Sequence, residues 1–193
     1  MKKTVLIKNK KSKKGFSLLE LLLVLGIIAA LVVAAFIVYP KVQASQRAQA
    51  ESNNIAAIQA GVKALYTSAS SFTGLTNTVA VQAKIFPDNM LSGSGSSAKP
   101  INAFKGDVVV ASSTTGPSGA QGSSFTITYS NVPAAECTKI ITAAAGNFYK
   151  VGVGYEGSLK SAGEVLDVAK TAMQCQSGGN GSGNINTLVF TSL

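Results

Sequence analysis

The chain has 193 residues, enough for one domain with a core of its own plus a terminal appendage. Hydrophobic residues make up 46% of it and charged residues only 13%, against roughly 25% charged in ordinary soluble domains, which points to a membrane segment or a large subunit interface. The net charge of +9 is concentrated at one end: seven of the 17 basic residues precede Phe16, where there is no acidic residue, and from Phe16 onward ten basic residues face eight acidic ones. Such a body offers no basic stripe for nucleic acid, and a chain without histidine has little material for acid–base catalysis.

Residues 1–15 form a lysine-rich tail that buries nothing. Residues 21–40 follow with no charge at all, the length needed to cross a hydrocarbon core. The preceding lysines place the N-terminus on the cytoplasmic side by the positive-inside rule. A secretory signal would show a shorter apolar core and a small-residue cleavage site behind it, and "AAFIVYPKVQ" shows neither. Glu20 stands at the edge of this segment. A carboxylate deep in a bilayer costs about 2.5–3.5 kcal/mol on insertion scales, so it needs a partner or a proton.

The helical pattern continues past Pro40, which is expected to kink it by removing a backbone donor and crowding the preceding turn. Gly26 and Gly61 are further weak points. Ile55, Ile58, Val62 and Leu65 fall on one stripe, with Gln43, Arg47, Gln49, Glu51 and Asn54 among the polar remainder. A helix over residues 17–66 is therefore expected, about 75 Å long at 1.5 Å per residue. Only its first half suits a bilayer; the stripe of the second half calls for the C-terminal domain.

After Ser68 the sequence breaks into short apolar runs separated by "SGSGSSAK", "SSTTGPSGAQGSS" and "QSGGNGSGN". "KGDVVVAS", "SSFTITYSNV", "FYKVGVGYE" and "INTLVFTSL" read as strands, with the clearest alternation in Phe125, Ile127, Tyr129 and in Val151, Val153, Tyr155. Two short helices are expected, over 134–145, with Pro133 at or near its first position and Glu136 in its first turn, and over 163–174. The fold class is α+β, a long N-terminal helix on an antiparallel sheet. Cys137 and Cys175 lie in the exported part if the apolar segment anchors the chain, where an even count favours one disulfide. Two buried thiols are the alternative. Zinc is disfavoured, because two thiolates without histidine cannot complete a tetrahedral set.

The segment "KKGFSLLELLLVLGIIAALV" resembles the prepilin signature of type IV pilins, and similar segments occur in type II secretion pseudopilins. The resemblance implies cleavage between Gly15 and Phe16 by a membrane-bound prepilin peptidase, followed by N-methylation of Phe16. It also implies that Glu20 of one subunit neutralises the Phe16 amine of the next in a helical filament. Within one helix the two groups are four residues apart and could also meet; an interfacial glutamate without a subunit partner is the plainest reading. The 15-residue leader, "IFPDNM" through "KPINAFKGDVVV", and "AAECTKI" are similar to type IVb pilins of the bundle-forming kind. Phe16 departs from that subclass, being more typical of type IVa.

The type IV pilin fold then implies four parts: a cleaved leader over 1–15, an apolar transmembrane and filament-core helix over 16–40, its amphipathic continuation over 41–67, and a globular head over 68–193 with an αβ-loop and a disulfide-bounded region. The implied partners are further copies of the chain, the prepilin peptidase, an assembly ATPase, an inner-membrane platform and an outer-membrane secretin. The implied location is the inner membrane of a Gram-negative bacterium and then its surface pilus, and the implied role is that of its major structural subunit, serving adhesion, cell–cell aggregation or conjugative contact. A pseudopilin of type II secretion and a membrane-anchored binding or enzyme domain are the competing readings. Against the last, the acidic residues show no paired spacing, "GPSGAQG" lacks the strand-to-helix setting of a nucleophile elbow, and "SGGNGSGN" lacks the lysine of a phosphate loop. No cofactor or metal is implied.

Protein sheared from the cell surface is expected to begin at Phe16, heavier by one methyl group and lighter by the two hydrogens of a disulfide. Intact mass and N-terminal sequencing check this, and replacing Gly15 by serine should leave the uncleaved precursor in membranes.

Overall fold

The computed structural model describes residues 17–95, 98–178 and 185–193. The chain divides into two compact units, Met1–Lys41 and Val42–Leu193. Helix α1 (Leu18–Leu65) runs for 48 residues and starts within two residues of the expected position. Its helical assignment continues through Pro40, and the division between units falls one residue later.

The second unit holds α2 (Asn77–Gln82), the short strands β1 (Leu91–Ser92) and β2 (Lys99–Pro100), then β3 (Val108–Ser113), β4 (Ser124–Pro133), α3 (Ala134–Ala144), β5 (Lys150–Val153), α4 (Val168–Ser177) and β6 (Ile185–Ser192). Strands β3, β4, β6 and β5 form one antiparallel sheet in that order, and β1 pairs with β2. Phe125, Ile127 and Tyr129 of β4 alternate onto one face and are fully buried, as period-two patterning requires. The β4–β6 register shifts between Tyr129 and Val132, where Asn131 takes a φ of 60°.

Several expectations need correction. The helix placed over 163–174 begins only at Val168, because Asp167 caps it: its carboxylate accepts from the Lys170 amide at 2.9 Å. Pro133, expected at or near the first position of α3, is its N-cap and so needs no correction. Strand β5 ends at Val153, where Gly154 turns the chain with a φ of 80°, so Tyr155 lies outside it and is 65% exposed. Strand β3 starts three residues later than "KGDVVVAS" suggests, since Lys105 adopts a φ of 60° in the preceding turn.

On α1 the buried positions are Ala48, Glu51, Ser52, Ile55, Ile58, Gln59 and Val62. At about 100° per residue they fill an arc of about 120°, with Leu65 just outside it. Leu65 is accordingly 43% exposed. The stripe closes on Tyr66, whose ring centroid lies 5.5 Å from Phe72, itself 4.8 Å from Phe125. Gly61 belongs to the same contact: a Cβ there would come within 2.9 Å of Ile85.

Glu51, expected on the polar face, is 2% exposed. Its carboxylate accepts from the Ala103 amide at 2.7 Å and from the Asn54 side chain at 3.3 Å. Tyr129 ionises well above its ordinary range, chiefly through burial and then through the charge of Glu51 and a hydrogen bond with it. Folding therefore favours the neutral phenol. This contribution is complete below the unfolded value near 10 and is lost as pH rises toward the folded one. In an alkaline titration followed by tyrosinate absorbance, Tyr129 should ionise only as the head unfolds. In Tyr129→Phe, the tyrosinate signal that accompanies unfolding should be lost.

Candidate functional site

Residues 18–39 of α1 carry no charged group but Glu20. Leu18, Leu19, Leu22, Leu31 and Phe36 are all more than half exposed, and the most apolar window has a mean hydropathy of 3.3 with none of it buried. A helix apolar on every side has no aqueous solution to its burial problem, so it must lie in lipid or against other helices. Glu20 sits exposed in the first turn, immediately before Leu21, whose amide donates to the Ser17 carbonyl at 3.1 Å. An acid here is favoured by the unsatisfied amides of the helix start. Gly15 and Phe16 lie outside the described residues, so the structure fixes Glu20 of the expected assembly pair alone. Pro40 lies within α1.

The second constellation is the disulfide. Cys137 of α3 and Cys175 of α4 are joined, with Cα atoms 5.8 Å apart, and both are fully buried. The open choice between bridge and thiols is thus resolved by position. Polar side chains around it do work that spacing alone does not reveal. Buried Asn186 of β6 donates to the Cys175 carbonyl at 2.9 Å and to the Val132 carbonyl at 3.4 Å. Lys160 donates to the carbonyls of Ala145 and Phe148, both at 2.7 Å, satisfying acceptors left over where α3 ends.

The stretch "KPINAFKGDVVV" also gains a physical explanation. The Asn102 carboxamide oxygen accepts from the amides of Phe104 and Gly106, both at 2.9 Å, and its nitrogen donates to the Ser130 carbonyl at 2.7 Å. Gly106 is required because a Cβ there would collide with the Ser130 carbonyl. Asn77 is the other residue the sequence left unmarked. Its amide donates to the Val108 carbonyl at 2.8 Å and its oxygen accepts from the Val110 amide at 2.7 Å, as a neighbouring strand would. Among the described residues, no group of three or more acidic or cysteine side chains could hold a metal.

The family description "PilS N terminal" matches residues 45–193, and "Prokaryotic N-terminal methylation motif" matches residues 10–36. The chain belongs to the PilS family of type IV pilins. The major structural subunit of bundle-forming pilus from Escherichia coli O111:H- is 26% identical over 167 residues, covering 84% of this chain and 83% of the relative. The same subunit from Escherichia coli O127:H6 (strain E2348/69 / EPEC) matches with the same identity and coverage. The type IV b pilin from Salmonella typhi has a similar fold, with a TM-score of 0.55 and 23% identity, over 74% of this chain and 97% of that one. TcpA, a type IV pilin from Vibrio cholerae El Tor biotype, gives a TM-score of 0.51 and 15% identity, over 78% and 99%. As a pilin, the chain is a structural subunit and not an enzyme.

The bridge spans a sequence separation of 38, and closing a loop of that size contributes about 4 kcal/mol in the chain-entropy picture. The double variant Cys137→Ser, Cys175→Ser should therefore melt well below the parent in a thermal scan followed by near-ultraviolet circular dichroism, and should accumulate less in cells.

Proposed function

We propose that the chain is the major subunit of a type IVb pilus, made as a membrane-anchored prepilin and displayed on the cell surface of a Gram-negative bacterium. The observation that carries this is the uncharged, exposed first half of α1 with one carboxylate at its head. The match to the methylation motif over residues 10–36 supports cleavage between Gly15 and Phe16 and methylation of the new Phe16 amine. The bundle-forming relatives support the subclass and the role of major subunit.

In this reading residues 1–15 are removed, residues 16–40 hold the precursor in the inner membrane and then form the filament core, residues 41–67 carry the helix into the head, and residues 68–193 form the exposed body. Pro40 supplies a bend where the two regimes meet, because its ring cannot donate to the helix ladder. Glu20 meets the Phe16 amine of a neighbouring copy. In an apolar core each charge is costly alone, so pairing rewards one axial register over all others. A peptidase processes the precursor. An ATPase, an inner-membrane platform and an outer-membrane secretin drive it outward. Exposed loops of the head carry adhesion, aggregation or conjugative contact.

Glu20→Ala should insert into membranes and be processed normally, yet yield few surface filaments by electron microscopy and shearing. Normal piliation in that variant would remove the proposed pairing.

A further inference from the structure

We propose that the head binds a monovalent cation of the sodium kind between Glu156 and two buried hydroxyls, on the face of the sheet turned away from the core. Phe125, Ile127 and Tyr129 of β4, and Leu188 and Phe190 of β6, belong to the core. Ser124, Thr126 and Thr191 alternate with them and so face the other side. Register gathers them there: Thr126 lies opposite Thr191, and Ser124 lies opposite Ser113 of β3. Directly opposed side chains are about 4.5–5.5 Å apart at Cβ. The turn after β5 lies over the same face. Gly152 alternates with the core residues Val151 and Val153, and a Cβ on it would collide with the Tyr155 carbonyl. From this turn Glu156 reaches toward β3, where its Oε1 accepts from the Ser113 hydroxyl at 3.4 Å. Strands β6 and β4 lie between β5 and β3, so that reach crosses the row of Thr191, Thr126 and Ser124.

Among the described residues, four buried side-chain atoms have no hydrogen-bond partner, and three of them are Ser124 Oγ, Thr191 Oγ1 and Glu156 Oε2. Ser124 and Thr191 are both 0% exposed. Buried oxygens are ordinarily partnered, so three on one face call for a shared partner. Lys150 lies opposite Thr191, but its ammonium sits over the Tyr149 ring, 5.8 Å from the centroid. Glu156 Oε2 is left without it. A carboxylate charge taken out of water is costly unless a counter-charge meets it. A water molecule would join the hydroxyls and leave that charge in place. A cation serves all three oxygens at once, because each has lone pairs to offer. Charge decides its valence: one carboxylate with neutral hydroxyls balances a single positive charge. Calcium instead draws on about six to eight oxygens, several of them from carboxylates, and no group of three acidic side chains occurs among the described residues.

The test is the thermal stability of the full-length chain in neutral detergent micelles, followed by near-ultraviolet circular dichroism. Sodium chloride replaces choline chloride at constant ionic strength, so that screening does not change. The head should melt about 3–6 °C higher at a ten-fold excess of sodium over its dissociation constant. The sodium nuclear magnetic resonance signal should broaden when the protein is added. Glu156→Gln should abolish both effects, and Thr191→Val should weaken both. Should Glu156→Gln fail to fold, Thr191→Val carries the comparison. Equal melting in the two salts with an unbroadened sodium signal overturns the proposal and leaves the three oxygens to water. A rise that persists undiminished in both variants overturns the site. A response to millimolar calcium with none to sodium overturns the monovalent assignment.

Discussion

One helix has to satisfy two surroundings, and the rest of the molecule follows from that. Along the first half of α1 every face is apolar and exposed, so no arrangement of a single chain in water can bury it. Along the second half only an arc is buried, and the opposite side carries Gln49, Asn53 and Lys63 in solvent. The covalent continuity of the helix couples the two demands.

The head answers with polar ties and not with apolar packing alone. Ile55, Ile58 and Val62 supply burial, but an apolar stripe can slide by a turn at modest cost. Glu51 and Gln59 cannot. Gln59 donates to the Asn147 carbonyl and to the Ser192 hydroxyl, both at 2.8 Å, while Glu51 holds the Ala103 amide. A shift by one turn would strand these groups without partners, each at a cost of about 1–3 kcal/mol. Register between the second half of α1 and the rest of the head is thus fixed by hydrogen bonds in the core.

Those ties are also where sequence reading ran out. The long helix, the four strands and α3 were legible because each carries its own period, three to four residues in α1 and two in β4. Glu20 stands out in the sequence as a lone carboxylate beside twenty uncharged residues, and the structure adds its place in the first turn of α1. Glu51 was not, since nothing local distinguishes a buried glutamate on an alanine-rich helix from a solvated one; its partner is 52 residues away. The start of α4 was misplaced because Gly163 and Glu164 resemble a helix entry, whereas Asp167 makes the cap. Helix α2 is six residues long, too short for a period to show. Its N-cap hydroxyl on Thr76, 3.4 Å from the Val79 amide, is visible only in three dimensions.

The edges of the sheet decide how such a subunit can polymerise. An open edge strand invites pairing with another chain, and a protein that works at high local concentration would be exposed to that hazard. Here β3 is closed by Asn77 and by the Leu75 carbonyl, which accepts from Ser112 at 3.3 Å. On the far side, β5 exchanges hydrogen bonds with Lys160: Val151 donates to its carbonyl at 3.0 Å and its own amide returns to Val151 at 3.0 Å. The chain therefore spends its loops sealing both edges, and strand addition is not open to it at these positions. What it leaves uncovered is the apolar half of α1. A fold that closes its sheet and exposes its helix leaves that helix as the surface still to be covered.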